Sequence, residues 1–194
     1  SAGLDWESSF APAASLSLEE RSVLHIQLEK GVNAPLTSSM GRLFDAVSAL
    51  IGVRQTATYE GQAAIELENV ADPDEPGFYM FDYQHGEIDP APMWQQIITD
   101  MQAHISRATI SARFHNGIAR LVLRICQVVT SSTSIKTVCL SGGVWQNMTL
   151  FSKTIPLLEN DGYTVLTHRQ VPANDGGIAL GQALIASFAV EGRS

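Results

Sequence analysis

Hydrophobic positions recur at helical spacing along most of the chain and at strand spacing only in short runs. Leu24 and Leu28 stand four apart after Ser17-Leu18-Glu19-Glu20, so they share one helical face. That pattern predicts a helix to Lys30, capped by Ser15 or Ser17 and stopped by Gly31. A polar turn at Asn33-Ala34-Pro35 follows. Ser38 or Ser39 then caps a second helix through Leu43, Phe44, Val47, Leu50 and Ile51, ended by Gly52. Residues 60–70 read as a third helix, closed by the Pro- and Asp-rich loop 71–77. The aromatic run 78–83 reads as a strand. Gln84-His85-Gly86-Glu87 turns it toward a short second strand around Ile88. Asp89-Pro90-Ala91-Pro92 starts a helix from Met93 to about Arg107. Ile118, Leu121, Val122, Ile125 and Val129 predict a long amphipathic helix over 110–129, ended by the polar run 130–134.

The last third alternates. Residues 136–140 form a short apolar strand, and Ser141-Gly142-Gly143 is a glycine turn. A helix follows, broken or restarted near Pro156; 163–167 is the next strand. Asn174-Asp175-Gly176-Gly177 is a turn, and 178–190 is a closing helix. Strand, turn and helix in this order predict an α/β fold with right-handed crossovers. Helix outweighs strand, so the sheet is small.

The length of 194 residues fits one domain with a self-sufficient core. Twelve basic residues against 20 acidic ones give a net charge of -8, which offers little to a phosphate backbone, so nucleic acid is not an expected partner. Two cysteines, Cys126 and Cys139, cannot build a disulfide framework and read as core residues in a reducing, cytoplasmic setting. No run of about 18 apolar residues predicts a membrane span. The chain starts Ser1-Ala2-Gly3 without Met, so residues 1–3 read as a cloning scar and 4–194 as part of a longer natural chain.

Two turns can carry chemistry. Leu140-Ser141-Gly142-Gly143-Val144-Trp145-Gln146-Asn147 follows a strand, where α/β folds bind ligands. Its glycines let a ligand approach the backbone, and a helix start there favours an anion. A tight structural turn explains the same residues. The sequence is neither a Walker motif nor GxGxxG. Asn174-Asp175-Gly176-Gly177 reads first as an ordinary N-cap; the alternative is a carboxylate that can bind a cation. Asp45, three residues after Arg42, can simply pair with it on a helix surface. The five histidines show no metal-pair spacing; His85 reads as solvent-facing and His115 as a hydrogen-bonded core residue. No Ser-His-Asp nucleophile elbow is present.

Taken in order, five segments resemble the C-terminal part of the hydrogenase maturation carbamoyltransferase (HypF) family. They are Ser38-Ser39-Met40-Gly41-Arg42-Leu43-Phe44-Asp45-Ala46-Val47, Tyr59-Glu60-Gly61-Gln62-Ala63-Ala64, Phe114-His115, Leu140 to Asn147, and Pro172-Ala173-Asn174-Asp175-Gly176-Gly177-Ile178-Ala179-Leu180-Gly181-Gln182. The resemblance implies the second lobe of an actin/hexokinase-like, ribonuclease-H-like fold, with a nucleotide and a metal between two lobes. It implies a protein that forms carbamoyl-adenylate from carbamoyl phosphate and ATP. The carbamoyl group then passes to the C-terminal cysteine of a partner maturation protein, toward the cyanide ligand of [NiFe] hydrogenase. It implies that Asp175 is a metal ligand, shared with a His-x-x-x-His pair that this sequence lacks. By the same resemblance Gly142, Gly143 and Asn147 contact the nucleotide, and Asp45 and Gly61 line its adenosine side. No residue here is assigned as the catalytic nucleophile, and the segment alone is expected to be inactive. Two rival readings fit the same residues: the ATP-binding lobe of a small-molecule kinase of the same superfold, and a non-catalytic interaction module whose acidic surface binds protein.

Overall fold

The computed structural model describes residues 10–191; the expectation for residues 1–3 lies outside them. The chain divides into two compact units, Ser1–Gly117 and Ile118–Ser194.

The first unit is helical. Helix α1 (Ala11–Ala14) is followed by α2 (Leu18–Lys30). Ser17 caps α2 in a reciprocal box: its Oγ accepts from the Glu20 amide at 3.2 Å, and its own amide donates to Glu20 Oε2 at 2.8 Å. Those Ser17 hydrogen bonds hold the Glu20 carboxyl below the usual carboxylate range. Gly31 ends the helix in the left-handed region at φ 64°. Helix α3 (Met40–Leu50) is capped by Ser39 and buries Phe44, Val47 and Ser48. Helix α4 (Gln62–Asn69) begins two residues later than the pattern predicts, because Gly61 is left-handed at φ 78° and cannot be a helical residue. Thr58 and Gln62 then brace Glu66, which accepts from Arg54 Nε at 2.7 Å. The Arg54 bond holds the Glu66 carboxyl down.

Residues 78–81 alternate in burial as a strand would, with Tyr79 and Phe81 buried and Phe78 and Met80 exposed. Their partner is not a strand. The Tyr79 amide donates to the Arg113 carbonyl and the Met80 amide to Gln96 Oε1. Among the described residues of this unit, β1 (Asp82–Gln84) and β2 (Glu87–Asp89) pair, antiparallel, through His85 and Gly86 at φ 53° and 85°. Both central residues at positive φ match a tight hairpin turn, and His85 is exposed as predicted.

Helix α5 (Ala91–Gln102) stops five residues short of the expected end. His104 turns left-handed at φ 56°, and Ser106 accepts from the Thr109 amide to start a new helix. That helix, α6 (Arg107–Thr133), runs past the predicted polar stop. Ser131, Ser132 and Thr133 bond back to the carbonyls of Val128 and Val129, so they continue the helix rather than compete with it. In the first unit α6 contributes Phe114, edge-on to Phe44 at 4.8 Å, and buried His115, whose Nδ1 lies 2.8 Å from the Ser111 carbonyl. His115 is thus the hydrogen-bonded core residue expected.

The second unit carries the predicted α/β segment. Strands β3 (Thr137–Leu140) and β4 (Thr164–Thr167) pair in parallel from Thr137↔Thr164 to Leu140↔Thr167. Helix α7 (Met148–Asn160) connects them, a βαβ unit. It runs unbroken through Pro156, correcting the expected break. Pro156 and Ser152, whose carbonyl the ring deprives of a donor, both lie on the exposed side, where water can serve. Leu140, Leu158 and Tyr163 form the core, with Val122, Cys126, Val138, Phe151 and Ile155 against it. Strand alternation sends Cys139 the other way: it is exposed, not a core residue as expected. Helix α8 (Ile178–Glu191) closes the chain.

Candidate functional site

The carboxyl ends of β3 and β4 feed two loops that meet. In the first, Gly142 adopts φ 103° and ψ 160°, a conformation essentially confined to glycine. A Cβ there would face open space, so the constraint is conformational rather than steric. A 3-10 turn over Gly143–Gln146 follows. Asn147 then caps α7, its Oδ1 accepting from the Leu150 amide at 2.7 Å. The Gly142 amide donates across to the Ala173 carbonyl at 2.7 Å, which ties the first loop to the second.

The second loop is tight. A Cβ on Gly177 would come within 2.8 Å of the Pro172 carbonyl oxygen. Asn174, not Asp175, is the cap: its Oδ1 accepts from the Gly176 amide at 3.1 Å. Asp175 is exposed, and its carboxylate has no hydrogen-bond or ion-pair partner among the described residues. The two readings of this turn are therefore carried by two neighbouring side chains.

Gly142, Gly143, Asn147 and Asp175 all stand on these joined loops of the second unit. Asp45 and Gly61 belong to the first unit. Asp45 pairs with Arg42 at 3.1 Å on the surface of α3, the simple i, i+3 pair that spacing allowed. Gly61 supplies the left-handed N-cap of α4. Sequence reasoning missed His168, whose Nε2 lies 2.9 Å from Ser141 Oγ. The signal for it was register: Leu140↔Thr167 is the last strand pair, and Ser141 and His168 come next.

Burial pushes the Cys126 thiol up, away from the reactive thiolate. Among the described residues no three His, Cys, Asp or Glu side chains are grouped to hold a metal ion. A divalent cation takes several ligands, so Asp175 alone does not fit one. No helix among the described residues is long and apolar enough to cross a membrane.

A βαβ unit with a glycine turn at its strand ends defines an α/β protein. Comparison with known proteins narrows this. The family described as "Carbamoyltransferase, Kae1-like Domain, second subdomain" matches residues 2–182. The chain belongs to that carbamoyltransferase family and is its Kae1-like second subdomain. The chain is 40% identical over 172 residues to carbamoyltransferase HypF of Rhodobacter capsulatus, covering 84% of this chain and 21% of that protein. It is 38% identical to the Synechocystis sp. HypF over 161 residues, 81% of this chain and 20% of the relative. A crystal structure of full-length HypF in a phosphate- and nucleotide-bound form superposes with a TM-score of 0.86 at 37% identity, covering 93% of this chain and 24% of that one. The T. kodakarensis HypF structure gives 0.80 at 26% identity, over 94% of this chain and 24% of that one. This chain thus spans about a fifth of the length of these curated relatives.

Proposed function

We propose that this chain is the second lobe of the carbamoyl-transfer centre of a longer protein, working in a reducing, cytoplasmic setting. The protein makes carbamoyl-adenylate from carbamoyl phosphate and ATP: water releases phosphate from carbamoyl phosphate, and the carbamate oxygen then bonds to the α-phosphorus of ATP as pyrophosphate leaves. The C-terminal cysteine thiolate of a partner maturation protein attacks the carbamoyl carbon. A C–S bond forms, the bond from that carbon to the phosphate oxygen breaks, and AMP leaves. The product feeds cyanide-ligand synthesis for [NiFe] hydrogenase. The observation that carries this reading is the meeting of the two strand-end loops, fastened by the Gly142–Ala173 bond, in a chain that matches a nucleotide-bound HypF structure over 93% of its length.

In this reading the Gly142-Gly143 turn takes the phosphate of the nucleotide. Asn147 sets the start of α7 and so the position of its first amides, which favour an anion. Asp175 supplies one ligand of a divalent metal whose other ligands lie outside this chain. The described residues do not compose that metal site by themselves.

The test is Gly142→Ala in the full-length protein. An alanine at φ 103° is strained by about 1–3 kcal/mol, which the turn relieves by moving. Carbamoylation of the partner cysteine should fall at least about tenfold with the fold retained. Unchanged turnover would refute the role of the turn.

A further inference from the structure

We infer that His168 is a positioning residue for this turn: it orients the Ser141 hydroxyl so that the hydroxyl proton is offered to a nucleotide phosphate. The inference rests on the reading that the turn takes the phosphate.

The geometry comes from the sheet. Beyond the last strand pair, Leu140↔Thr167, the chain continues on one side to Ser141 and on the other to His168. Their side chains meet, with Nε2 and Oγ 2.9 Å apart across 27 positions of sequence. Both residues are exposed. An exposed serine hydroxyl is ordinarily a free rotor that trades partners with water. Here one imidazole nitrogen fixes it, beside a glycine whose amide is already tied to Ala173.

A hydroxyl has one proton to give and lone pairs to receive, and a neutral imidazole nitrogen is either a donor or an acceptor. When Nε2 carries the proton, it donates to Ser141 Oγ, and the serine proton is left for an outside acceptor. When Nε2 is bare, the serine proton goes to the ring, and only lone pairs face the ligand. A phosphate accepts and does not donate, so it selects the first arrangement. The ring and the hydroxyl then donate in series to the phosphate, each bond polarising the next. Fixing the rotor beforehand also lowers the ordering cost of binding. His168 acts through Ser141 and touches no reacting atom.

The experiment is nitrogen-15 NMR of the 194-residue chain titrated into the millimolar range with AMP, adenosine and inorganic phosphate. AMP should shift the amides of Ser141, Gly142 and Gly143 and bring His168 to the Nε2–H tautomer; adenosine should do neither. His168→Leu should weaken AMP by about 3- to 10-fold, the worth of one hydrogen bond. Ser141→Ala should cost the same, and the double variant no more than either single one. His168→Gln, whose amide can donate from the same reach, should restore binding. His168→Glu, which only accepts when ionised, should not. If Ser141→Ala weakens AMP and His168→Leu does not, or if the two losses add, the positioning role is overturned while the phosphate site stands. If AMP leaves residues 141–143 unshifted, or neither variant changes its affinity, the phosphate site falls and the positioning role with it.

Discussion

Asp175→Ala in the full-length protein is expected to abolish carbamoyl transfer, by more than about 100-fold, while leaving the protein folded. The carboxylate is exposed and has no hydrogen-bond or ion-pair partner among the described residues. Its removal therefore leaves no orphaned group, and surface changes of that kind cost within about 0.5 kcal/mol. The N-cap of the turn survives, because Asn174 makes it. A carboxylate that the fold does not use, on a loop tied to the glycine turn, is free for a cation. The variant should lose bound metal together with activity, at an unchanged melting temperature. Normal transfer with normal metal content would refute the ligand role.

Gly117→Ala is expected to destabilise the first unit, against the sign that helix propensity predicts. A glycine inside a helix such as α6 ordinarily gains about 1 kcal/mol on becoming alanine. Here the new Cβ would lie 2.5 Å from the Tyr79 carbonyl oxygen and 3.3 Å from the Phe81 ring. The obstacle is backbone, so it cannot swing aside. Overpacking of this kind costs about 1–3 kcal/mol and forces the extended segment off the helix. That segment is fixed from several sides: the Tyr79 hydroxyl donates to Asp100 Oδ2 at 2.6 Å, and Arg113 reaches the same oxygen at 2.8 Å. Burial and the Asp100 bond push the Tyr79 phenol well up, so it stays a donor across the accessible pH range. Denaturant unfolding should show a loss of about 2 kcal/mol, or roughly 4–8 °C in Tm for a chain of this size. A gain in stability would show that propensity outweighs the contact.

Local chemistry made much of the fold legible. Ser17 with Glu20, Ser39, Gly31 and the His85-Gly86 turn each act through neighbours a few residues away, so sequence spacing contains the whole interaction. Features that depend on distant partners were not legible. The 78–81 run has the alternation of a strand, yet its backbone bonds go to Arg113 and Gln96. Pro156 was tolerated because of the side of α7 it occupies, and Cys139 was exposed because of strand parity, neither of which local apolarity reveals. The candidate site divides in the same way. The glycine turns and Asp175 stood out as motifs. His168 did not, because its meaning lies in the register of two strands separated by a helix. That Asn174 takes the capping role and leaves Asp175 without one is likewise a matter of rotamers.

Hydrogen exchange with mass-spectrometric readout on the full-length protein, with and without nucleotide, tests most directly whether this lobe holds the nucleotide at its paired strand-end loops. Slowed exchange is predicted in the segments 141–147 and 173–178. Nucleotide-dependent protection elsewhere in the protein, with both of these segments unchanged, would contradict it.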